Sequence, residues 1–319
     1  MAASPGSPGS SAAASARLEV ADEVGAAVRD GRPVVALEST IIAHGLPRPR
    51  NLEVALALER SLRERDVVPA TIAVLGGVAR VGLDRGALER IAGGEAAGVA
   101  KLGLRDLAPA AALGATGATT VSATAHLAAL AGVRVFATGG LGGVHPGAAA
   151  SFDESADLMA LARTPIIVVA SGVKSILDVG ATLERLETLG VTVLGFATDR
   201  FPGFVLADAG FAVPWSVSTP EQVAAAAEAA LGLRAPGAIL VANPVPAAAA
   251  LEADEHARAL DTGLQLAAAR GIEGKAVTPF LLEHLHRVTD GRSLEANVAL
   301  AHANARLAAD VAVAWAARA

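Results

Sequence analysis

The chain has 319 residues, which is enough for one large α/β domain or for two smaller domains. Hydrophobic residues make up 53% and charged residues 18%, so the chain can bury a sizeable core and is not of the intrinsically disordered class. The formal charge of -6 excludes a broad basic surface for nucleic acid, and the absence of cysteine excludes disulfides, thiolate metal sites and cysteine nucleophiles.

The first 17 residues, which begin MAASPGSPGSS, are small, polar and rich in Pro, Gly and Ser, and this composition predicts a disordered tail. They lack the basic and apolar regions of a signal peptide. No apolar run in the chain approaches about 18 uninterrupted residues, so no membrane span is expected and the predicted location is the cytoplasm. Residues 18–319 contain no linker or break in composition and are interpreted as a single domain.

From residue 18 onward, short apolar runs alternate with longer segments of helical periodicity. Most of the apolar runs are β-branched and end at glycine or a polar residue, as buried parallel strands usually do, and they lie at 34–39, 71–77, 133–140, 166–172, 191–197 and 238–243. The helical segments lie at 51–66, 155–163, 178–189, 219–231, 251–270, 279–288 and 293–317. This alternation predicts a three-layer α/β/α fold with a mostly parallel central sheet and a helical C-terminal part.

Polar residues collect at the ends of several predicted strands. Glu38 lies near the end of the first strand, the glycine-rich loop TGGLGGVHPG follows the third, and SGVKS, with Lys174, follows the fourth. In open parallel sheets, ligands bind beyond the carboxyl ends of the strands, so we expect a carboxylate, a lysine and a glycine loop at one crevice, as in a catalytic site. The alternatives are that Glu38 caps a neighbouring helix and that the loop is a plain tight connection.

The glycine loop and the lysine turn do not match the common nucleotide-binding motifs. His145 occupies the position of the third glycine of GxGxxG, which argues against a nicotinamide site, and Lys174 lacks the upstream glycine of a Walker A loop. Backbone amides in such loops still suit phosphate oxygens. Lys101, in GVAKLGLRDL, is by itself consistent with a surface charge.

Candidate metal ligands lie in SFDESADL, which contains Asp153, Glu154 and Asp157. One or two carboxylates with several waters suit Mg²⁺ or Mn²⁺ rather than zinc. The alternative is an acidic first turn of a helix, which the helix dipole favours.

The histidines give weaker signals. His44 and His145, beside glycines, are as consistent with orienting their neighbours as with proton transfer. His284, His286 and His302 lie on predicted helices and are expected to be solvated.

A series of motifs runs in one order along the chain: ALESTIIAHGLPRP, PATIAVLGGVARVGL, KLGLRDL, GATTVSAT, FATGGLGGVH, SFDESADL, SGVKSILD, ANPVP, GKAVTPFLLEHL and SLEANVALAHANARLAADVA. Together they resemble the motifs of the pseudouridine-5'-phosphate glycosidases, a family that includes the indigoidine synthase A-like proteins. The resemblance runs from about residue 18 to the C-terminus.

The resemblance implies a homotrimeric lyase with glycosidase activity, which interconverts pseudouridine 5'-phosphate plus water with uracil and ribose 5-phosphate in pseudouridine catabolism and nucleotide metabolism. It implies one Mn²⁺ per subunit, with Mg²⁺ or another divalent cation as the alternative, and a pseudouridine kinase as a working partner. By the same matching, Lys174 is the nucleophile, Glu38 the proton donor and Asp153 the metal ligand. The residues assigned to the substrate site are Lys101, Val121, Thr138, Ser155, Ala156, Asp157 and Asn297.

The chemistry of a carbon–carbon glycosidic bond explains the need for a lysine. The leaving atom is a ring carbon without a lone pair, so the two carboxylates of an ordinary glycosidase are not sufficient. A lysine amine can instead form an iminium at C1' of a ring-opened ribose. Lys174 must be uncharged to attack, which partial burial near another cation such as Lys101 favours, and Glu38 is expected to protonate the ribose ring oxygen.

The sequence departs from the family pattern at a few positions. TDRFPGF has Arg200 and Gly203 where an acidic residue and alanine are expected, Pro146 replaces a common basic residue, and Glu154 replaces an apolar one. Alanines follow Pro246 where acidic residues are frequent. None of these positions is an assigned catalytic group.

Two rival functions are open to this sequence. One is a Schiff-base lyase or aldolase that acts on another sugar phosphate with the same lysine. The other is a non-catalytic phosphate-binding or regulatory protein in which Glu38 and Lys174 form a structural ion pair.

Overall fold

The computed structural model describes residues 18–272 and 277–318, and the predicted tail, residues 1–17, lies outside the described residues. The helices are α1 Asp22–Arg29, α2 Arg50–Arg63, α3 Arg85–Ala92, α4 Leu107–Ala112, α5 Val121–Leu130, α6 Ala148–Ser151, α7 Ala156–Ala162, α8 Val179–Thr188, α9 Pro220–Gly232, α10 Ala253–Ala269, α11 Val277–Val288 and α12 Arg292–Ala316. The strands are β1 Leu18–Val20, β2 Val34–Leu37, β3 Val68–Leu75, β4 Val78–Val81, β5 Ala100–Leu102, β6 Gly117–Thr119, β7 Val135–Ala137, β8 Ile167–Ala170, β9 Thr192–Phe196, β10 Trp215–Val217 and β11 Ile239–Ala242. Across these described ranges, no helix has both the length and the apolar character that a membrane span requires.

The described strands form one sheet in the order β1-β4-β3-β2-β7-β8-β11-β9-β10, and β6 pairs with both β3 and β5. Among the described pairs, β3–β4 and β3–β6 are antiparallel and the others are parallel, which confirms the predicted mostly parallel sheet. Leu37 of β2 lies beside Ala137 of β7, and Ala137 beside Val169 of β8. The carboxyl ends of these three strands therefore meet at one edge of the sheet.

Helices cover both faces of the sheet, because the strands are apolar on both sides. Val34 and Ala36 of β2 pack with α1, α5, α7, α8 and α11 on one face. Val35 and Leu37 pack with α2, α9 and α12 on the other face. The predicted three-layer α/β/α architecture is therefore confirmed, while the single-domain interpretation stays a prediction.

Helix α12, in the C-terminal part of the chain, packs against the central strands of the sheet. It packs against β2, β7 and β8, and its buried positions are mostly alanine, with Leu300 and Val311 among the larger ones. Small side chains let the helix backbone lie close to the sheet. Polar residues on this buried face are therefore brought within reach of the strand ends.

The predicted strand 71–77 is wrong at its carboxyl end. Strand β3 ends at Leu75, and Gly76 and Gly77, with φ of 58° and 83°, form a two-residue turn into the antiparallel β4. Positive φ at both central residues is the geometry of a tight hairpin, and it favours glycine. The long apolar run conceals this hairpin, and the strands β1, β5, β6 and β10 are too short to show a period-two pattern.

Candidate active site

Glu38 lies directly beyond β2 and is only 8% exposed. Its carboxylate accepts hydrogen bonds from the hydroxyls of Thr40 and Thr138. Thr138 follows the neighbouring strand β7, so the parallel pairing of β2 with β7 brings the two residues together. These hydroxyl contacts, rather than the amides of a helix end, hold the carboxylate, and the helix-capping interpretation of Glu38 is wrong.

A buried hydroxyl network fixes the backbone after Glu38. The Oγ of Ser39 donates to the carbonyl of Ile72, and Thr119 Oγ1 donates to the same carbonyl at 2.7 Å. The backbone N–H of Thr119 donates to Ser39 Oγ at 2.9 Å. The network therefore ties the segment after β2 and the end of β6 to the middle of β3, and the sequence pattern does not predict these contacts.

A small pocket lies beside Glu38. Its walls come from the strand ends at Glu38 and Thr138, from Leu58 of α2 and from Ala301 of α12. A second small pocket lies at the opposite edge of the sheet, where Ile167 and Ile239 begin their strands, and none of the predicted site residues lines it. We place the candidate site at the strand ends beside the first of these pockets, because it alone of the two is lined by predicted site residues, Glu38 and Thr138.

Lys174 lies in the turn that follows β8 and is half-buried. Its N–H donates to the carbonyl of Leu141 in the glycine loop, and its own carbonyl accepts from Leu177, both at 3.0 Å. Gly172, with φ of 70°, lets the chain pass the carbonyl of Pro202, because a Cβ there would lie 1.9 Å from that oxygen. The lysine therefore sits on a backbone that is fixed on both sides.

Lys101 lies on β5, beside Ala118 of β6. Although this residue keeps exposed surface, desolvation of its ammonium group lowers its pKa, and the positive charge of Lys174 lowers the pKa further. The negative charges of Asp157 and Glu38 act in the opposite direction. Two lysines and two carboxylates from distant segments thus lie near enough for their charges to interact, so Lys101 is exposed but is not an isolated surface charge.

Asp157 is buried and clamps the glycine loop to two helices. Its Oδ1 accepts from the N–H of Ser122 at the start of α5, and its Oδ2 accepts from Gly142, both at 2.9 Å. Ser155 caps α7 by accepting from the N–H of Asp157 at 3.2 Å. The observed contacts of Asp157 are therefore with the backbone, and its assignment to the substrate site stays a prediction.

The remaining assigned substrate residues lie at helix starts around this loop. Val121, 2% exposed, is the first residue of α5, and Ala156, which is exposed, is the first residue of α7. Asn297 of α12 is half-buried, and its Oδ1 would lie 3.4 Å from a Cβ placed on Gly139. All three therefore lie around or beside the glycine loop.

The three acidic side chains of SFDESADL do not converge. Asp153 is half-buried, with Oδ2 3.9 Å from Nδ1 of His145. Glu154 turns away to pair with Nε of Arg185 at 2.9 Å, and Asp157 is engaged by backbone amides. Within residues 18–272 and 277–318, no three His, Asp or Glu side chains group as metal ligands, so Asp153, beside His145, is the carboxylate of this motif that stays available to a cation.

A buried asparagine, Asn304, ties three strand ends together and is not predicted from the sequence. Its Nδ2 donates to the carbonyl of Thr138 at 2.8 Å, and it also shares a hydrogen bond with the hydroxyl of Ser171. Its Oδ1 accepts from Asn243 at 2.9 Å. The sequence does contain a signal, because Asn304 follows Asn297 by two helical turns and lies on the same face of α12.

The departures from the family pattern lie around the outer parts of this region. Arg200 pairs with Asp208, its Nε lying 2.9 Å from Oδ2, and Pro146 is exposed. A Cβ at Gly203 would lie 3.1 Å from that of Ala209, so this tight loop favours glycine there. The next residue, Phe204, is buried and packs against the glycine loop at Gly140.

The solvated placement predicted for the C-terminal histidines is wrong for His284. This residue is 4% exposed, because α11 packs its ring against Gly263 of α10. His286 and His302 are half-buried, and burial lowers the pKa of His302. His44 lies in the π-helical turn Ile41–Gly45, and burial lowers its pKa as well.

Comparison with known proteins finds relatives that align with most of the chain. The sequence profile described as "Indigoidine synthase A like protein" matches residues 23–314. A pseudouridine-5'-phosphate glycosidase from Salinispora tropica is 59% identical over 303 residues, which cover 94% of this chain and 91% of that protein. More than 90% of the chain is therefore aligned with a protein of this name.

Two solved structures share the fold over nearly the whole chain. A prealnumycin C-glycosynthase in complex with ribulose 5-phosphate superposes with a TM-score of 0.88 at 37% identity, covering 95% of this chain and 98% of that one. An indigoidine synthase A-like protein from Thermotoga maritima superposes with a TM-score of 0.84 at 38% identity, covering 93% and 96%. On the sequence match and the shared fold, the chain belongs to the indigoidine synthase A-like family.

Proposed function

We propose that this chain reversibly cleaves the carbon–carbon glycosidic bond of pseudouridine 5'-phosphate to give uracil and ribose 5-phosphate. The observation that carries the proposal is the shared environment of Glu38, Lys101 and Lys174 at the carboxyl edge of the sheet. The Salinispora tropica relative is named for this reaction, and the C-glycosynthase with the same fold was solved with a five-carbon sugar phosphate.

In the proposed reaction, Glu38 gives a proton to the ribose ring oxygen as the furanose ring opens. The neutral amine of Lys174 bonds to C1' as the bond from C1' to the ring oxygen breaks, and the nitrogen then loses a proton. The C1'–uracil bond breaks as the nitrogen lone pair forms a C1'=N iminium, and the uracil carbon takes up the proton that the nitrogen lost. Water hydrolyses the iminium and releases ribose 5-phosphate and the free lysine. The burial of Glu38 supports its role, because the hydroxyls of Thr40 and Thr138 hold the carboxylate in one orientation at the strand end.

The 5'-phosphate is proposed to bind beside Lys101. The ammonium group of Lys101 supplies a positive charge, and the amino-terminal end of α5, where Val121 begins the helix, supplies a favourable dipole for an anion. Ser155 and Ala156 add a hydroxyl and backbone amide at the start of α7. Binding energy at the phosphate then positions C1' for attack by Lys174.

A divalent cation fits the donor set at Asp153 only as a mostly hydrated ion. One half-buried carboxylate lies there, with the imidazole of His145 beside it, and carboxylate with water suits Mn²⁺ or Mg²⁺. We propose that Asp153 holds Mn²⁺, which when bound supplies positive charge that orients water and carbonyl oxygens. The homotrimer and the kinase partner stay predictions that depend on the family resemblance, and the cytoplasmic location stays a prediction from the sequence pattern.

A second candidate is a Schiff-base lyase or aldolase for another sugar phosphate. It is favoured by the ribulose 5-phosphate bound to the C-glycosynthase of the same fold. Both reactions use the same lysine, so a panel of pentose phosphates, with and without uracil, separates them.

The test is to incubate the purified protein with Mn²⁺, uracil and ribose 5-phosphate and to search for the C-nucleotide by mass spectrometry. The reverse reaction is followed by the change in ultraviolet absorbance as pseudouridine 5'-phosphate releases uracil. We expect both signals with the wild-type chain and neither with Lys174→Ala. Absence of both signals from the wild-type chain contradicts the proposed function.

A further inference from the structure

A hydrogen bond joins helix α10 to the turn that carries Lys174. Nε2 of His256 lies 2.7 Å from Oγ of Ser175, the residue directly after the lysine. His256 is 4% exposed and Ser175 7%, so water has little access to either group. Buried polar groups are normally paired in this way, and each of these two groups depends on the other for its partner.

The side chains of the turn, residues 174–177, form few hydrogen bonds. Its backbone is fixed by the bond from Lys174 to Leu141 and by the bond from Leu177 to Lys174. In the described parts of the chain, residues 174–177 make one hydrogen bond that involves a side chain, and it is the bond between Ser175 and His256. The apolar side chains of Ile176 and Leu177 pack in the core, and the contact with His256 adds the one side-chain hydrogen bond between the described turn and the helical layer.

The imidazole is not required by α10 itself. The backbone N–H of His256 makes an ordinary helical bond to the carbonyl of Glu252, and the side chain extends away to the turn. Burial lowers the pKa of His256, so its ring is uncharged at neutral pH. An uncharged ring holds the turn without adding a second positive charge near the lysine.

We propose that His256 is a positioning residue for Lys174, because its hydrogen bond to Ser175 holds the turn in the orientation from which the lysine amine reaches the anomeric carbon. This inference rests on the proposed function. Misplacement of a reacting group by about 1 Å can slow a reaction by about 100-fold, so a single contact behind the lysine has a large effect on rate.

The experiment compares His256→Phe, His256→Gln and Ser175→Ala with the wild-type chain. His284→Phe is the matched control, since His284 is equally buried and packs between α11 and α10, yet forms no hydrogen bond with the turn. For each variant, the rate of formation of the borohydride-trapped adduct with pseudouridine 5'-phosphate is measured in a single turnover, together with kcat, KM and Tm.

We expect His256→Phe and Ser175→Ala to slow adduct formation by about tenfold or more, with a smaller change in KM. His256→Gln, whose amide can still bond to Ser175, is expected to retain more of the rate. His284→Phe is expected to lower Tm without slowing adduct formation, because the contacts of His284 are with Gly263 and Arg287 and not with the turn.

The proposal is overturned if folded His256→Phe and Ser175→Ala both form the adduct at the wild-type rate. Ser175→Ala removes one oxygen atom, so it decides the question if His256→Phe does not fold. A wild-type chain that forms no adduct and releases no uracil overturns the proposed function and this inference with it. An active wild type with unaffected variants overturns the inference alone.

Discussion

The hydroxyl of Thr138 donates a hydrogen bond to the carboxylate of Glu38 across the neighbouring strands β7 and β2. Thr138 is assigned to the substrate site by resemblance, whereas the structure shows it as the partner of the proposed proton donor. Its backbone carbonyl is held in turn by Asn304. The orientation of the carboxylate is therefore set by a chain of contacts that leads to helix α12.

We expect Thr138→Val to lower kcat for uracil release by about tenfold or more, because the variant keeps the shape of the side chain and removes the hydroxyl that orients Glu38. Glu38→Ala should lower kcat by about 100-fold or more. Ultraviolet assays give kcat, and circular dichroism checks the fold. A Thr138→Val enzyme with wild-type kcat would show that the hydroxyl has no part in orienting the acid.

Lys174→Ala is expected to abolish both turnover and adduct formation. The sequence contains three lysines, Lys101, Lys174 and Lys275, so peptide mapping of the borohydride-reduced protein has to distinguish only three possible attachment sites. The added ribose-phosphate mass should fall on the peptide with Lys174. Lys101→Ala serves as the control, since it should weaken substrate binding while leaving the adduct detectable, and label on another lysine contradicts the assignment.

Asp153→Asn is expected to abolish the stimulation by Mn²⁺, because it removes the carboxylate proposed to hold the ion. Glu154→Gln is the matched control from the same motif, since its carboxylate pairs with Arg185 instead. Activity is measured after treatment with EDTA and again after addition of Mn²⁺. An EDTA-treated enzyme that keeps full activity, or an Asp153→Asn variant that responds normally to Mn²⁺, removes the basis for the metal site.

Asn304→Ala should lower the free energy of unfolding by about 1–3 kcal/mol, because it leaves buried polar partners unsatisfied. The site should also lose activity as the ends of β7, β8 and β11 separate. Asn297→Ala, on the half-buried part of the same helix, is expected to change the free energy of unfolding by less than about 0.5 kcal/mol while reducing activity. Urea denaturation with constant m values measures the free energy of unfolding of both variants. Equal destabilisation by the two substitutions would contradict the structural role of Asn304.

The lowered pKa of Lys101 predicts a dependence of ligand binding on pH. The group loses its positive charge at a lower pH than an ordinary lysine, so affinity for ribose 5-phosphate should fall as the pH rises through that lowered pKa. Lys101→Arg keeps its charge throughout this range and should show a flatter profile. Calorimetry at a series of pH values measures the affinity, and ribose 5-phosphate is used because it has no uracil ring to titrate. The same dependence of affinity on pH in the wild-type chain and in Lys101→Arg would contradict the prediction.

The outline of the fold is readable from local pattern. The β-branched runs at β2, β8 and β11 are buried on both faces, and that is why they read as short continuous apolar segments. The same pattern, with the rule that ligands bind at carboxyl ends of strands, predicts the positions of Glu38 and Lys174. The predicted strands run past their observed ends because they include the polar or glycine residues that follow the last paired residue directly.

The sequence by itself thus determined the alternation of strands and helices and the absence of thiol chemistry, and it predicted a candidate site at one edge of the sheet. The tertiary structure alone decided which side chains meet there. Asn304 contacts Ser171 across 133 positions and His256 contacts Ser175 across 81, and Glu154 turns away from Asp153 although they are adjacent in the chain. The physical reason is that periodicity encodes how a segment folds locally, whereas these partners are chosen by the packing of distant helices on the sheet.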